Sequence, residues 1–507
     1  MKKPSLQRQV LFGLSALLAA AGALGLAFLP WETAGAPVLM ILLAGGLALG
    51  LALLDSPAEE RRFVIRLFLV ALVVRLAATA LFHWAIGGND NYLYDDSKTY
   101  DRVAWTLARD WHASEPAAAA VGPADFVLDD LYPRLLAGLY FWIGHATAAA
   151  IVINSVLGAS SVYLAYRIST MLFAPVTARW AGWLTAFYTG FWLWEMMPLK
   201  DALFLFLILL FFLGLYRLWN ILVLPDKTPA RILHAAGWTA VMIAVFLLAG
   251  QLRNYIPVIL LGAVGLVPLV EFLKAGRPWR WILVIGSAAI LLMVLWPAIS
   301  MRALNPVAIG PDSALFGVIE IPDTRTVGSF MEWIRAHPAG FARYLGLTMF
   351  STALAPYAWL LPGSLPEVPR FETYMIAFPG MWLWYFLLPF SIFGIREAVR
   401  RSRGGVGPVL FYAAAVFLVV SIFIPREYRH RDMIMPVALM LAAEGLVFSR
   451  RWWVAGLLVW IPLTGFIAWK LNSIVPILLA LGAAAAAVIA WHIRLRRRRE
   501  DQMVRLG

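Results

Sequence analysis

Long apolar stretches alternate with short polar connections along most of the chain. A helix that crosses a bilayer needs about 20 predominantly apolar residues. The pattern therefore predicts an all-α polytopic membrane protein with about fourteen spans. The predicted spans are 10–29, 36–54, 63–86, 148–172, 178–197, 201–222, 235–252, 255–273, 280–299, 373–396, 407–424, 433–449, 453–470 and 474–493.

Helical periodicity continues into the polar segment that follows the third span. After Asp96, apolar side chains recur at helical spacing, and charged residues, among them Asp101, lie off the apolar stripe. This pattern predicts an amphipathic helix on the outer membrane surface. The stretches Tyr132–Trp142 and 345–361 are apolar but too short to span, which predicts further interfacial or re-entrant helices. The stripe consists of Tyr100, Val103, Ala104, Leu107 and Trp111.

Composition and charge restrict the class and the orientation of the protein. The chain of 507 residues is 62% hydrophobic and only 14% charged, whereas a soluble domain carries about 25% charged residues. A soluble enzyme, a disordered chain and a coiled coil are therefore excluded. The net charge of +13 would fit a nucleic-acid partner or basic cytoplasmic loops.

More than half of the basic residues fall in one set of short connections, which the positive-inside rule places in the cytoplasm. No nucleic acid is then needed to explain the charge. Both termini are predicted to be cytoplasmic, and the long polar segments 87–147 and 300–372 to lie outside. These basic residues are Lys2, Lys3, Arg8, Arg61, Arg62, Arg167, Arg179, Arg217, Lys227, Arg231, Lys274, Arg277, Arg280, Arg396, Arg400, Arg401, Arg403, Arg450, Arg451 and those from Arg494 to Arg505.

The absence of cysteine excludes disulfides, thiolate nucleophiles and cysteine-based metal sites. The seven histidines lack the spacing of a zinc site. We divide the chain into two N-terminal spans (1–62), a core (63–450) and a C-terminal hairpin with a basic tail (451–507).

Charged residues gather at four of the predicted outer connections. A carboxylate can take a proton from an attacking hydroxyl group, and arginines can hold a phosphate bidentately as it leaves. Their combination at the bilayer edge indicates a lipid-linked phosphate donor. The connections carry Asp95 and Asp96; Glu195, Lys200 and Asp201; Arg253 and Asn254; and the run from Arg426 to Asp432.

Several motifs within residues 63–450 then show a family resemblance. The segment Asp96-Ser-Lys-Thr-Tyr100 resembles the first outer loop of the GT-C membrane glycosyltransferases, which include the lipid A aminoarabinose transferases and the protein O-mannosyltransferases. The family often has Glu directly after the acidic residue, where this chain has Ser97, and Asp95 precedes it instead. Further similar segments are Leu131–Leu136, Pro198–Phe204, Ile334–Pro338 with Phe341–Arg343, and Tyr428–Arg431 with Pro436.

The resemblance implies an inverting transfer of a sugar from a polyprenyl-phosphate donor to a hydroxyl group of a glycan, lipid or protein, outside an inner (plasma) membrane. Asp96 would be the general base, with Asp95 as its neighbour or its rival. No cofactor is expected, although some branches of the family hold a divalent ion with paired acids. The implied donor-phosphate ligands are Arg253, Arg429, Arg431 and Lys200, and the implied substrate contacts are Tyr100, Tyr132, Asp201, Tyr428 and His430.

Structural interpretations compete with these roles. Asp96 is also a suitable N-cap, Arg253 can reach outer headgroups, and Arg75, in the middle of a span, is expected to face protein. Trp192 and Trp194 are candidates for stacking on a sugar, and an interfacial aromatic belt is the favoured interpretation.

Two other functional classes remain as alternatives. An O-antigen ligase or polymerase would use a diphosphate-linked donor. A lipid or sugar transporter would show inverted repeats and interrupted helices, and the sequence displays neither.

Overall fold

The computed structural model describes residues 35–85, 95–112, 131–223, 228–275, 327–354, 371–401, 405–423 and 431–448. All regular elements in these ranges are helices, which confirms the all-α prediction. In chain order they are α1 (Ala36–Asp55, with a π-helical segment at Ile41–Gly45), α2 (Arg61–Ala85), α3 (Asp95–His112), α4 (Leu131–Ile143), α5 (Thr147–Leu172), α6 (Pro175–Phe187), α7 (Thr189–Glu195), α8 (Asp201–Val223), α9 (Pro229–Leu252), α10 (Ile256–Ala275), α11 (Val327–Ala336), α12 (Pro338–Leu354), α13 (Phe371–Arg401), α14 (Gly407–Phe423) and α15 (Met435–Phe448).

Five of the described helices, α1, α2, α5, α8 and α9, are long and apolar enough to cross a membrane. Each coincides with a predicted span. Shorter apolar helices lie within α10, α14 and α15, and α13 covers the span predicted at 373–396. The total of fourteen stays a prediction, because the spans predicted at 10–29, 280–299, 453–470 and 474–493 lie outside the described residues.

The prediction of one continuous span at 178–197 is wrong. Helix α6 ends at Phe187, Tyr188 is extended (φ −75°, ψ 101°), and α7 begins at Thr189. The interruption leaves the carbonyl of Ala186 without its helical partner. Arg75 Nη1 (3.3 Å) and Trp192 Nε1 (3.1 Å) donate to it instead. The chain therefore contains an interrupted helix, and side chains supply the hydrogen bonds that the broken turn lacks. Hydropathy does not indicate the interruption, because the residues on both sides of it are apolar.

Helix α5 lies at the centre of the fold, in contact with α2, α6, α8 and α15. Small side chains allow this close packing, as is common between membrane helices. Ala159 and Ala165 are fully buried. The hydroxyl groups of Ser160 and Ser169 donate to carbonyls one turn earlier in α5, so they are buried without losing a hydrogen bond.

Helices α3 and α4 confirm the helices predicted after Asp96 and at Tyr132–Trp142. The apolar stripe of α3 packs against α4, and its residues Tyr100, Val103 and Ala104 are buried. The position of α3 on the outer membrane surface stays a prediction. Asp101, expected on the polar face, is also buried. Of the helix predicted at 345–361, the structure describes residues up to Leu354, within a helix that begins earlier, at Pro338.

Helix ends that the charge pattern assigned to one side meet in the structure. At the clamp end, which we define by Asp55, Glu60, Arg167 and Arg217, the carboxylate of Asp55 accepts hydrogen bonds from Arg167 (2.9 Å) and Arg217 (2.5 Å). The opposite end, called the site end, holds Glu195, Lys200, Asp201, Arg253, Arg431 and Asp432. That the clamp end faces the cytoplasm stays a prediction.

Candidate functional site

Helices α2 and α5 fix the connection between α7 and α8, which presents Lys200 and Asp201. Asn154 of α5 donates through Nδ2 to the carbonyls of Met197 (2.7 Å) and Leu199 (3.1 Å). His83 Nε2 lies 3.2 Å from the carbonyl of Met196. An irregular connection buried in apolar surroundings needs such partners for its backbone groups, so these two polar side chains determine where Lys200 and Asp201 lie.

Arg253 follows the last residue of α9 and pairs with Asp201 at the start of α8. The Nη2 group of Arg253 donates to Asp201 Oδ1 at 2.7 Å, and both side chains are about nine-tenths buried (9% and 10% exposed). The guanidinium also lies 5.5 Å from the ring of Phe204. Arg253 is therefore held in a fixed orientation by a carboxylate and an aromatic ring.

Lys200 connects this pair to α3. Its Nζ lies 5.5 Å from the centre of the Tyr100 ring, and that ring meets Tyr132 edge-on, with 5.5 Å between centroids. The helix that begins at Asp95 is thereby placed beside Lys200. Asp96 lies in the first turn of α3 and is partly buried, where a negative charge is favoured by the helix dipole.

Arg431 and Asp432 lie just before α15 and contact the interrupted helix. Asp432 accepts hydrogen bonds from Trp194 Nε1 (2.8 Å) and the Tyr188 hydroxyl (3.1 Å). That hydroxyl accepts one from Arg431 Nη2 at 3.2 Å. Arg431 also donates to the carbonyl of Ala353 (3.4 Å). The extended conformation of Tyr188 thus joins α6 and α7 to both charged side chains.

A third arginine–carboxylate pair lies beside the interruption. Arg75 Nε is 2.6 Å from Glu195 Oε2, and the side chains are 1% and 3% exposed. Arg75 faces protein, as its position in the middle of a span predicts. The Glu195 carboxylate occupies the space that a Cβ atom on Gly158 would need, so a glycine at that position of α5 makes room for the pair.

These elements surround a small pocket of about 20 Å³, which is space for about one water molecule. The wall combines three carboxylates with two aromatic rings, and the arginine partners of those carboxylates are not lining residues. Carboxylates accept hydrogen bonds from hydroxyl groups, and the pocket has space for one such group. The lining residues are Phe191, Trp194, Glu195, Asp201, Ala202, Leu205, Asp432 and Met433.

The structure brings together the predicted residues Tyr100, Tyr132, Lys200, Asp201 and Arg253 through direct contacts. Arg431 lies at the same end and adjoins the pocket through Asp432. Tyr428, Arg429 and His430 lie outside the described residues.

Three residues that contribute to the site were missed or misread from the sequence. The interfacial position expected for Trp194 is wrong, because its side chain is buried and donates to Asp432. Nothing in the sequence pattern indicated a role for Tyr188. Asn154 could have been identified from the sequence, because it is the one side-chain amide within the predicted span at 148–172. Across the described ranges, no three His, Asp or Glu side chains converge as a metal ion would require.

No protein-family model and no curated protein matches this sequence. Among solved structures, the chain is similar to the archaeal oligosaccharyltransferase AglB from Archaeoglobus fulgidus in complex with an inhibitory peptide and a dolichol-phosphate. The identity is 14%, the TM-score 0.45, and the match covers 85% of this chain and 55% of the other.

A second similar structure is an Archaeoglobus fulgidus oligosaccharyltransferase tethered by a disulfide bond to an acceptor peptide containing the NVT sequon. Here the identity is 12%, the TM-score 0.40, and the coverage 78% of this chain and 51% of the other. The chain thus spans about half the length of each.

Proposed function

We propose that the protein is an inverting glycosyltransferase that moves a sugar from a polyprenyl-phosphate donor to a hydroxyl group on an acceptor outside the cytoplasm. The observation that carries the proposal is the meeting of separate motif segments at the site end. Tyr100 of α3 contacts Lys200, Asp201 pairs with Arg253, and Asp201 and Asp432 line one pocket. Residues far apart in sequence thereby supply one chemistry.

In the proposed mechanism, Asp96 accepts the proton of the acceptor hydroxyl as its oxygen attacks the anomeric carbon. The bond from that carbon to the phosphate oxygen breaks, and the configuration inverts. Arg253, Lys200 and Arg429 are the proposed partners of the departing phosphate, whose negative charge they stabilise. A phosphate neutralised in this way leaves without a general acid.

Arg431 has a different place in the proposal. Its side chain is only 2% exposed and already engages Tyr188 and Asp432. A phosphate would reach it only after those contacts open. We therefore assign Arg431 first to holding the turn that carries Asp432, and the small pocket beside Asp432, Trp194 and Glu195 to one hydroxyl group of the sugar.

The interrupted helix at Tyr188 is the one observation that favours a transporter, since such helices line transport sites. The two functions differ in their product. A transferase forms a new glycosidic bond and releases polyprenyl phosphate, whereas a transporter moves an unchanged molecule.

The test supplies purified protein in lipid nanodiscs with labelled polyprenyl-phosphate and polyprenyl-diphosphate sugars and an extracted acceptor fraction, followed by mass analysis. We expect label transfer from the monophosphate donor and a loss of about 10²- to 10⁴-fold in the Asp96→Asn variant, because general base catalysis contributes about that factor. Asp110→Asn, on the same helix, is the control and should keep the parental rate.

Three outcomes would contradict the proposal. If the Asp96→Asn variant transfers sugar at the parental rate, Asp96 is not the general base. Transfer from the diphosphate donor alone favours the ligase or polymerase class. Recovery of every donor with its sugar still attached, and no label on any acceptor, favours the transporter.

A further inference from the structure

Asp101 lies buried where three elements meet, away from the pocket. It belongs to α3 and is 6% exposed. The Tyr140 hydroxyl of α4 donates to its Oδ1 through a short hydrogen bond, and Thr147 Oγ1, at the start of α5, donates to the same atom at 3.1 Å. His145 Nε2, in the connection between α4 and α5, lies 3.0 Å from Oδ2. One carboxylate therefore joins α3, α4 and α5.

Aromatic packing surrounds this contact. Trp105, one turn after Asp101, stacks on the His145 ring, with 5.0 Å between centroids and 12° between planes. Tyr140 meets the rings of Trp105 and His145 edge-on. The guanidinium of Arg109 covers the Trp105 ring at 5.8 Å. The histidine is thus fixed by a ring on one side and by the carboxylate at its edge.

The carboxylate of Asp101 is held in its charged form. Burial alone would raise its pKa, but hydrogen bonds from His145, Tyr140 and Thr147 and the charge of His145 outweigh burial, and the net pKa lies below its ordinary value. Burial and the nearby Asp101 charge raise the pKa of Tyr140 well above its ordinary value, so this hydroxyl remains a donor. Removing the charge would leave buried donors with a weaker acceptor.

We propose that Asp101 is a positioning residue for the sugar transfer, which holds α3 so that Asp96 and Tyr100 face Lys200 and Asp201. This inference rests on the proposed function. Asp96 and Asp101 are five residues apart on one helix, about 7.5 Å along its axis, and Tyr100 is the direct neighbour of Asp101. A shift of α3 therefore moves the proposed base, and a misplacement of about 1 Å can cost about 10²-fold in rate.

The test compares Asp101→Asn with the control Asp110→Asn in the full-length protein in nanodiscs. For Asp101→Asn we expect kcat to fall by about 10²-fold. The KM for the lipid donor should stay within about twofold, because Arg253, a proposed phosphate ligand, is held by Asp201 and Phe204 and not by α3. Amide hydrogen exchange over residues 95–112 should accelerate at least tenfold, because α3 opens locally more often. Asp110→Asn should change none of these.

Tyr140→Phe is the milder variant, since it removes one donor and keeps the carboxylate. It should shift kcat and exchange in the same direction by a smaller factor.

The anchoring of α3 should also depend on pH. Because folding lowers the pKa of Asp101, the contribution of its carboxylate to stability is present above the unfolded-state pKa and is lost as the pH falls through the folded-state pKa. Wild-type α3 should therefore stay protected on acidification to pH values near 3.8, the ordinary value for this group, and the acid-side loss should be absent in Asp101→Asn.

Three results would overturn the inference. Unchanged exchange over 95–112 in Asp101→Asn would show that the carboxylate does not anchor α3. A fall in kcat without faster exchange, or a rise in the donor KM alone, would indicate a direct substrate contact. If the wild type transfers no sugar at all, the proposed function fails, while the exchange comparison still decides whether Asp101 anchors α3.

Discussion

The two ends of the helix bundle use the same residue types for different purposes. At the clamp end, Asp55 accepts hydrogen bonds from Arg167, Arg217 and Tyr163, so one carboxylate ties α1 to α5 and α8. At the site end, Asp201, Glu195 and Asp432 each have an arginine neighbour and also line a pocket. Charge pairs alone therefore do not define a site. The pocket and its aromatic wall make the difference.

Burial of the paired carboxylates separates the two ends as well, whereas Arg167 at the clamp end is 8% exposed, much like Arg253 at the site end. The side chains of Asp55 and Arg217 are 28% and 29% exposed, whereas those of Asp201 and Arg253 are 10% and 9% exposed. Exposed pairs are screened by solvent and contribute little to stability. Breaking a buried pair leaves an uncompensated charge and costs much more. The same substitution should thus have unequal effects at the two ends.

The largest expected effect concerns the pair beside the pocket. Arg75→Ala should destabilise the protein by about 3–5 kcal/mol, because Glu195 would remain buried without its partner. Thermal unfolding in detergent measures the change. Arg75→Met combined with Glu195→Met should recover most of the stability, since both charges are then removed. If the double variant unfolds as early as Arg75→Ala, the pair is not the cause.

A smaller effect is expected at the clamp end. Asp55→Asn should lower the stability by about 1 kcal/mol, because the charged hydrogen bonds that it weakens are partly screened by solvent. The rate of sugar transfer per folded molecule should not change. A large loss of sugar transfer in correctly folded Asp55→Asn protein would mean that both ends take part in the chemistry. The proposed difference between the clamp end and the site end would then be wrong.

The sequence predicts most of the helices because their apolar runs have clear limits. The run at 201–222 begins directly after Lys200 and matches α8 to within one residue. The break at Tyr188 was not predictable from hydropathy, because residues 178–197 are apolar on both sides of it. It is stabilised by Arg75, Arg431 and Asp432, which come from distant parts of the chain.

The candidate site was predictable to the extent that its residues stand at helix ends. Lys200, Asp201 and Arg253 were identified in this way and lie together. Asp101 was misassigned, because a charged residue beside an apolar stripe is ordinarily solvated. Its burial depends on Tyr140, His145 and Thr147, roughly 40 residues later, and one-dimensional periodicity contains no information on such partners.

The most direct test of the account compares two arginines, each paired with an aspartate, one at each end. The affinity of purified Arg253→Ala and Arg217→Ala for a polyprenyl-phosphate sugar is measured by competition with a labelled donor. We predict at least about a tenfold weaker affinity for Arg253→Ala, since a charged hydrogen bond contributes about 1.5–3 kcal/mol. Arg217→Ala should bind as the wild type does. Equal affinities for both variants, or a loss confined to Arg217→Ala, would contradict the placement of the donor phosphate at the site end.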